Sequence, residues 1–318
     1  MGSGSSKKDT KDKPQKLTKK DLKFFIKEVT SHEGGINSMA ITPDGSMICT
    51  GSEDKTCRIL DVAKEECVSV LKGHESYINW VVCNDKHVFT GSADKCIKKW
   101  SLDTGMCSKT LKGHTAPVNR MILLENILFS TSYDKTARCW DIDTGECLRE
   151  FNGHKRAVYP LVYVPLSGDG FERNFADLDN NHDILITGSA DETAKSWGLD
   201  NGEPIVTFKG HSGAVLCLSV DSAGKFLFTG SVDNTCRSWD LSTGKALQTF
   251  DGHQASIIQL QVGTQFSQYG KVGPNPIYFF YKHGVFQSEA RICLCFSQIE
   301  PQNMLNIQKS KFHDLTYL

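Results

Sequence analysis

Residues 113–151 read GHTAPVNRMILLENILFSTSYDKTARCWDIDTGECLREF, and the reading of this stretch decides the fold. Four short segments within it, PVNRMIL, NILFST, TARCWD and ECLREF, alternate or cluster apolar residues over lengths typical of strands. Turn chemistry separates them, as in SYDK and the DTG at 143–145. Four strands in about forty residues make one antiparallel sheet. The stretch also holds His114, Ser130 and Asp134, the three residue types of an acyl-transfer triad, so it raises a second question about catalysis.

Outward from this stretch the pattern repeats. Gly-His recurs at Gly73-His74, Gly113-His114, Gly153-His154, Gly210-His211 and Gly252-His253, and His32 opens a similar unit without the glycine. An aspartate follows in the turns GSED, GSAD, TSYD, GSAD and GSVD, and six residues later stand Leu60, Trp100, Trp140, Trp197 and Trp239. Cys67, Cys107 and Cys147 keep the same spacing. A period near forty residues identifies a repeat architecture. The GH…GSxD…W/D signature resembles the WD-repeat family over roughly residues 22–260. That resemblance implies an all-β fold, a β-propeller of five recognisable four-stranded blades plus a partial or irregular sixth, as an open ring.

The resemblance also implies what the triad residues do. In the family a histidine, a Ser/Thr, the turn aspartate and the tryptophan form a hydrogen-bonded tetrad inside each blade. Carried onto this chain, the tetrads are His74, Thr90, Asp94 and Trp100; His114, Ser130, Asp134 and Trp140; His154, Thr187, Asp191 and Trp197; and His211, Thr229, Asp233 and Trp239. A buried carboxylate needs donors, and imidazole, hydroxyl and indole N–H supply them. Ser130 lies on a strand without the Gly-x-Ser-x-Gly elbow of a nucleophile, so the expectation is no enzyme, with no catalytic residue, cofactor or metal. Leu60 cannot donate a hydrogen bond, which leaves the first tetrad incomplete and its blade less rigid.

Function in such a scaffold is expected on its loops. By resemblance, the rim positions are those three and five residues after the histidine and the one before the aspartate. They include Tyr77 and Asn79, Asn119 and Tyr133, and Tyr159, an aromatic and amide surface over the second to fourth blades. Such residues favour protein interfaces, so the expected function is a non-catalytic scaffold that binds an unidentified protein or peptide there. The alternatives are an enzyme with its site in one atypical blade, or a nucleic-acid-binding propeller. The formal net charge of −1 gives no overall basic surface for phosphates, and no nucleic acid is expected.

Outside the repeats, residues 1–21 form a basic tail. Met1-Gly2-x-x-x-Ser6 fits the N-myristoylation pattern, and seven lysines follow before residue 21. One acyl chain binds membranes marginally and a basic cluster strengthens it, so residues 2–20 are expected to meet an anionic membrane surface, with Gly2 as the lipidation site. No apolar run approaches the length that spans a bilayer. Twelve cysteines spread over a long chain, without an export signal, read as reduced thiols and a cytoplasmic location at the inner face of a membrane. Residues 22–30 read as an outer strand that would close the ring.

The fourth unit carries an insert, PLSGDGFERNFADLDNNHD, between its first two strands. Asp177, Asp179 and Asn181 imitate the start of a calcium loop, but His182 stands where the loop needs glycine and no glutamate closes it, so a solvated loop is expected. The propeller is bounded at 22–260, with repeats beginning near 32, 74, 114, 154 and 211 and a partial one at 253. Beyond Gly252-His253 the signature disappears, and 261–318 is expected to be a divergent C-terminal segment in preference to a sixth blade.

Overall fold

The computed structural model describes residues 32–165, 183–221 and 223–262, together with the backbone of 277–282 and 290–293. The basic tail with Gly2, the 22–30 segment, the Asp177–Asn181 stretch and most of 261–318 lie outside these residues.

Every element among the described residues is a strand. The first blade is β1 (Ile36–Ile41), β2 (Met47–Ser52), β3 (Cys57–Asp61) and β4 (Glu66–Leu71); the second is β5 (Ile78–Cys83), β6 (His87–Ser92), β7 (Ile97–Ser101) and β8 (Cys107–Leu111). The third is β9 (Val118–Leu124), β10 (Ile127–Ser132), β11 (Ala137–Asp141) and β12 (Cys147–Phe151). The fourth is β13 (Val158–Val164), β14 (Ile184–Ser189), β15 (Thr193–Gly198) and β16 (Pro204–Lys209), and the fifth is β17 (Val215–Val220), β18 (Phe226–Ser231), β19 (Cys236–Asp240) and β20 (Ala246–Phe250). Each is a four-stranded antiparallel meander in chain order, which short turns dictate wherever they join neighbouring strands. The insert of the fourth unit joins β13 to β14.

A sixth sheet of three strands follows. β21 (Ile257–Val262) runs past the sequence boundary at 260 and pairs with β22 (Ile277–Lys282), which pairs with β23 (Ala290–Cys293). The 261–318 region thus continues the meander in backbone pairing although it lacks the side-chain signature.

The innermost strands lie side by side, β1 next to β5, then β9, β13, β17 and β21. Each tryptophan seals its blade against the preceding one. Trp100 packs with Cys49, Cys57, Ile59 and Leu71 of the first blade, and Trp140 with Phe89, Ile97 and Leu111 of the second. Trp197 and Trp239 repeat the arrangement one and two blades on. Glycine at the fifth position of β2, β6, β14 and β18 lets the next inner strand approach closely, whereas β10 has Thr131 there. A Cβ on Gly51 would stand 2.5 Å from Ile78, and one on Gly188 would stand 2.7 Å from both Pro160 and Val215.

The first blade differs on its outer side. Ile36, Met39 and Ile41 of β1 are exposed, whereas Ile78 and Val81 of β5 and Val118 and Met121 of β9, at matching positions, are buried between blades. Among the described residues nothing covers this face of the first blade.

Candidate functional site

The aspartate of each unit sits in a tight turn whose geometry the sequence sets. Its Oδ1 accepts the backbone N–H two residues on, at 2.9 Å for Thr56 and 3.0 Å for Thr136. The residue after the aspartate adopts positive φ in all five blades, Lys55, Lys95, Lys135, Glu192 and Asn234. This turn leaves Oδ2 facing back towards the histidine.

In the third blade Trp140 Nε1–H donates to Ser130 Oγ at 2.8 Å, Ser130 Oγ lies 2.8 Å from His114 Nε2, and His114 Nδ1 lies 2.7 Å from Asp134 Oδ2. With Asp134 ionised, Nδ1 carries the imidazole proton and the Ser130 hydroxyl donates to Nε2. The same chain of contacts joins Trp100, Thr90, His74 and Asp94, Trp197, Thr187, His154 and Asp191, and Trp239, Thr229, His211 and Asp233. His32 meets Thr50 and Asp54 at 2.8 Å each, and Leu60 contributes no donor.

Burial by itself would raise the Asp94 carboxyl, but hydrogen bonds from His74 and from the Glu75 and Cys96 backbone outweigh it and hold the group at about 2. Asp233 is likewise held at about 2, burial being offset by Thr235 and His211. Each aspartate is an anion satisfied from several directions, and each serine or threonine at the tetrad centre is buried.

The rim residues fall into two groups. Tyr77 and Tyr133 are 52% and 48% exposed, and Tyr133 meets half-buried Tyr159 edge to face at 5.6 Å between centroids. Burial first, and then the neighbouring Tyr133, raise the Tyr159 phenol above its usual value. No ring contact joins Tyr77 to either among the described residues. Asn79 and Asn119 are engaged between blades: their amide nitrogens donate to the carbonyls of Val118 at 2.7 Å and Val158 at 3.2 Å, and Asn37 makes the same bridge to Ile78. At the equivalent place in the fourth blade stands Tyr159, so the bridge gives way to the aromatic pair.

Two inner-strand residues escaped the sequence reading. Trp80 and Arg120 each stand six residues after a repeat histidine, on neighbouring inner strands, and the Arg120 guanidinium carbon lies 5.0 Å from the Trp80 ring centroid. Trp80 Nε1–H donates to the Met121 carbonyl at 2.9 Å. The available signal was that Trp80 is the one tryptophan of five outside the repeated position.

Among the described residues no group of three or more His, Cys, Asp or Glu side chains could hold a metal ion, and the ten described cysteines are free thiols. Among the described residues no helix is long and apolar enough to cross a membrane.

Comparison with known proteins agrees with this geometry. A WD40 profile (WD domain, G-beta repeat) matches residues 23–61, 65–101, 105–141 and 202–240. The chain is a WD-repeat protein. The first three strands of the fourth blade, with the insert, lie between the third and fourth matches, and β16 falls inside the fourth. The chain is 57% identical over 199 residues to human WD repeat-containing protein 86, an alignment covering 63% of this chain and 53% of that protein. It is 34% identical over 62 residues to the nuclear distribution protein PAC1 of Scheffersomyces stipitis, covering 18% of this chain and 12% of that one. It is 41% identical over 59 residues to eukaryotic translation initiation factor 3 subunit I of Drosophila grimshawi, covering 18% of each. The chain spans about half the length of the human relative it matches. WD-repeat proteins typically act as protein-interaction scaffolds.

Proposed function

We propose that this WD-repeat chain is a non-catalytic scaffold that binds a protein or peptide across Tyr77, Tyr133 and Tyr159, with Asn79 and Asn119 forming the wall of the channel mouth. The observation that carries the reading is the edge-to-face pair of exposed Tyr133 and half-buried Tyr159 at the rim, flanked by exposed Tyr77. Rigid aromatics with a polar tip gain contact area on binding at small entropic cost.

The tetrads support the non-catalytic part. Ser130, His114 and Asp134 have triad-like distances, yet Ser130 is fully buried and its Oγ already accepts the Trp140 N–H. A nucleophile must reach substrate, and an enzyme needs one site where this chain repeats four.

The test is fluorescence anisotropy of the full chain with degenerate labelled octapeptide pools. Tyr133→Ala and Tyr159→Ala weaken binding by about 1–2 kcal/mol each, as loss of an aromatic interface residue does, with unchanged far-UV circular dichroism. Binding that is indifferent to both substitutions refutes the tyrosine face. Tethering of this scaffold to the cytoplasmic face of a membrane through a lipid on Gly2 and the lysines of residues 7–20 is the second part of the proposal, motivated by the Met-Gly-x-x-x-Ser start. Mass spectrometry of the chain made in eukaryotic cells tests it: unmodified Gly2 throughout would exclude the lipid.

A further inference from the structure

Among the described residues the inner strands hold a cation without a counter-ion. The inner strands carry a β-bulge one step below the rim; in the third blade β9 pairs through Val118 and Met121, and the register shift leaves Asn119 and Arg120 between them. Bulges re-aim side chains, and here the extra residue turns Arg120 out of the blade-to-blade packing and over the indole of Trp80. The Arg120 backbone is fixed by Thr131, whose Oγ1 also donates to the Tyr159 carbonyl at 2.9 Å. The position is therefore tied directly to the tyrosine rim, three residues below the Pro117 carbonyl that accepts the Tyr133 N–H. Three residues of strand are about 10 Å.

Arg120 is half-buried, and among the described residues its guanidinium has no hydrogen-bond acceptor and no carboxylate partner. Arg138 is the internal comparison: it too lies by an indole, that of Trp140, but it forms an ion pair with Glu150. Burial pulls Arg120 below its usual value, and among the described residues it also senses the Cys217 thiol two blades away, which burial pushes up to about 12 against the pull of Arg120. Among the described residues the charge thus lies over Trp80 without an acidic partner. Five oriented donors left without acceptors in a partly desolvated site are costly until an anion supplies them. One isolated positive charge matches a monoanion; a phosphate dianion calls for several basic groups.

We propose that Arg120, seated on Trp80, is a carboxylate-binding position in the channel mouth, and that the peptide held by the tyrosine rim presents an acidic side chain to it. The inference rests on the tyrosine-face reading and adds the chemistry of the partner. Tyr77, Tyr133 and Tyr159 lie on the second, third and fourth blades, so a chain crossing all three passes over the third blade with an internal residue above Arg120. This geometry favours a side chain over a chain terminus.

The experiment uses the full chain and degenerate octapeptide pools, acetylated and amidated, whose central residue is fixed as Glu, Gln or phosphoserine, with a further Gln pool bearing a free C-terminus. The Glu pool binds on the order of tenfold more tightly than the amidated Gln pool, the worth of one charge-assisted contact. Arg120→Gln removes that advantage and leaves binding of the Gln pool unchanged, while Arg120→Lys keeps part of it. Equal binding of the Glu and Gln pools to the wild-type chain overturns the proposal, as does preference for phosphoserine or for the free C-terminus. In a separate arm, sodium acetate replaces chloride at constant ionic strength while tryptophan fluorescence is followed; Trp80 is half-buried, whereas the four tetrad tryptophans are buried. The expected response is lost in Trp80→Phe and in Arg120→Gln. An acetate response identical in the wild type and Arg120→Gln overturns the carboxylate site itself. Failure of every pool to bind overturns the tyrosine-face reading, and the peptide proposal with it.

Discussion

Replacing the central threonine of a tetrad by valine removes one hydroxyl at nearly constant shape, and the chain offers the same substitution in two settings. At Thr90 the hydroxyl serves two buried partners, Trp100 Nε1 at 2.8 Å and His74 Nε2 at 2.7 Å. At Thr50 it serves His32 alone, because Leu60 replaces the tryptophan. A buried polar group left without a partner costs about 1–3 kcal/mol. Thr90→Val should therefore cost about 2–6 kcal/mol and Thr50→Val about half as much. Native-state hydrogen exchange reads this blade by blade, which matters in a repeat fold where one global unfolding free energy need not describe every unit. The β6 and β7 amides of Thr90→Val should lose protection by a further factor of about 5 to 100 relative to the β2 and β3 amides of Thr50→Val, since the extra cost of about 1–3 kcal/mol converts at about 1.4 kcal/mol per factor of ten. Equal losses in the two variants would refute the claim that the indole N–H is held by the threonine.

Three further outcomes follow from the same geometry. In the wild-type chain the β2–β3 amides should exchange faster than those of β6–β7 and β10–β11, because the first blade lacks an indole donor and its Ile36, Met39 and Ile41 are exposed among the described residues; equal protection contradicts this. Gly188→Ala should cost about 1–3 kcal/mol, because the new methyl meets Pro160 and Val215 at 2.7 Å and overpacks the seam between the fourth and fifth blades; a neutral effect in urea denaturation would contradict it. Acid should unfold the blades in a defined window. Asp94 and Asp233 are depressed in the folded chain, so their contribution is fully present above the unfolded carboxyl value near 4 and is lost as pH falls through about 2. His211, held below its usual value by burial against the pull of Asp233, adds a loss that begins as pH falls below about 6.5. Circular dichroism against pH checks the order of the two phases; a transition complete above pH 5 would contradict the carboxylate part.

The blades and tetrads were legible in the sequence because each depends on residues close together in the chain. A histidine, a hydroxyl, an aspartate and a tryptophan recur at nearly fixed offsets, and only hydrogen-bonding side chains fit those offsets, so Leu60 announced its own defect. The interblade contacts were much less legible. Asn79 looks like a surface amide until its acceptor is seen to be the Val118 carbonyl, 39 residues on. The same holds for Arg120 and Trp80, which share an offset from their histidines but meet only because a bulge turns one strand towards the next. The pairing of β22 and β23 with β21 was hidden for a different reason. Backbone hydrogen bonds form a sheet without any tetrad, so the signature can vanish while the meander continues.

The claim that this scaffold acts through its tyrosine rim is tested most directly by hydrogen–deuterium exchange of the full chain with and without a saturating degenerate peptide pool. Protection confined to the entry loops at 75–79, 115–119 and 155–159 and the adjoining turns at 92–94 and 132–134 is the predicted result. Protection on the outer strands β4, β8 and β12 with none at those loops would contradict it.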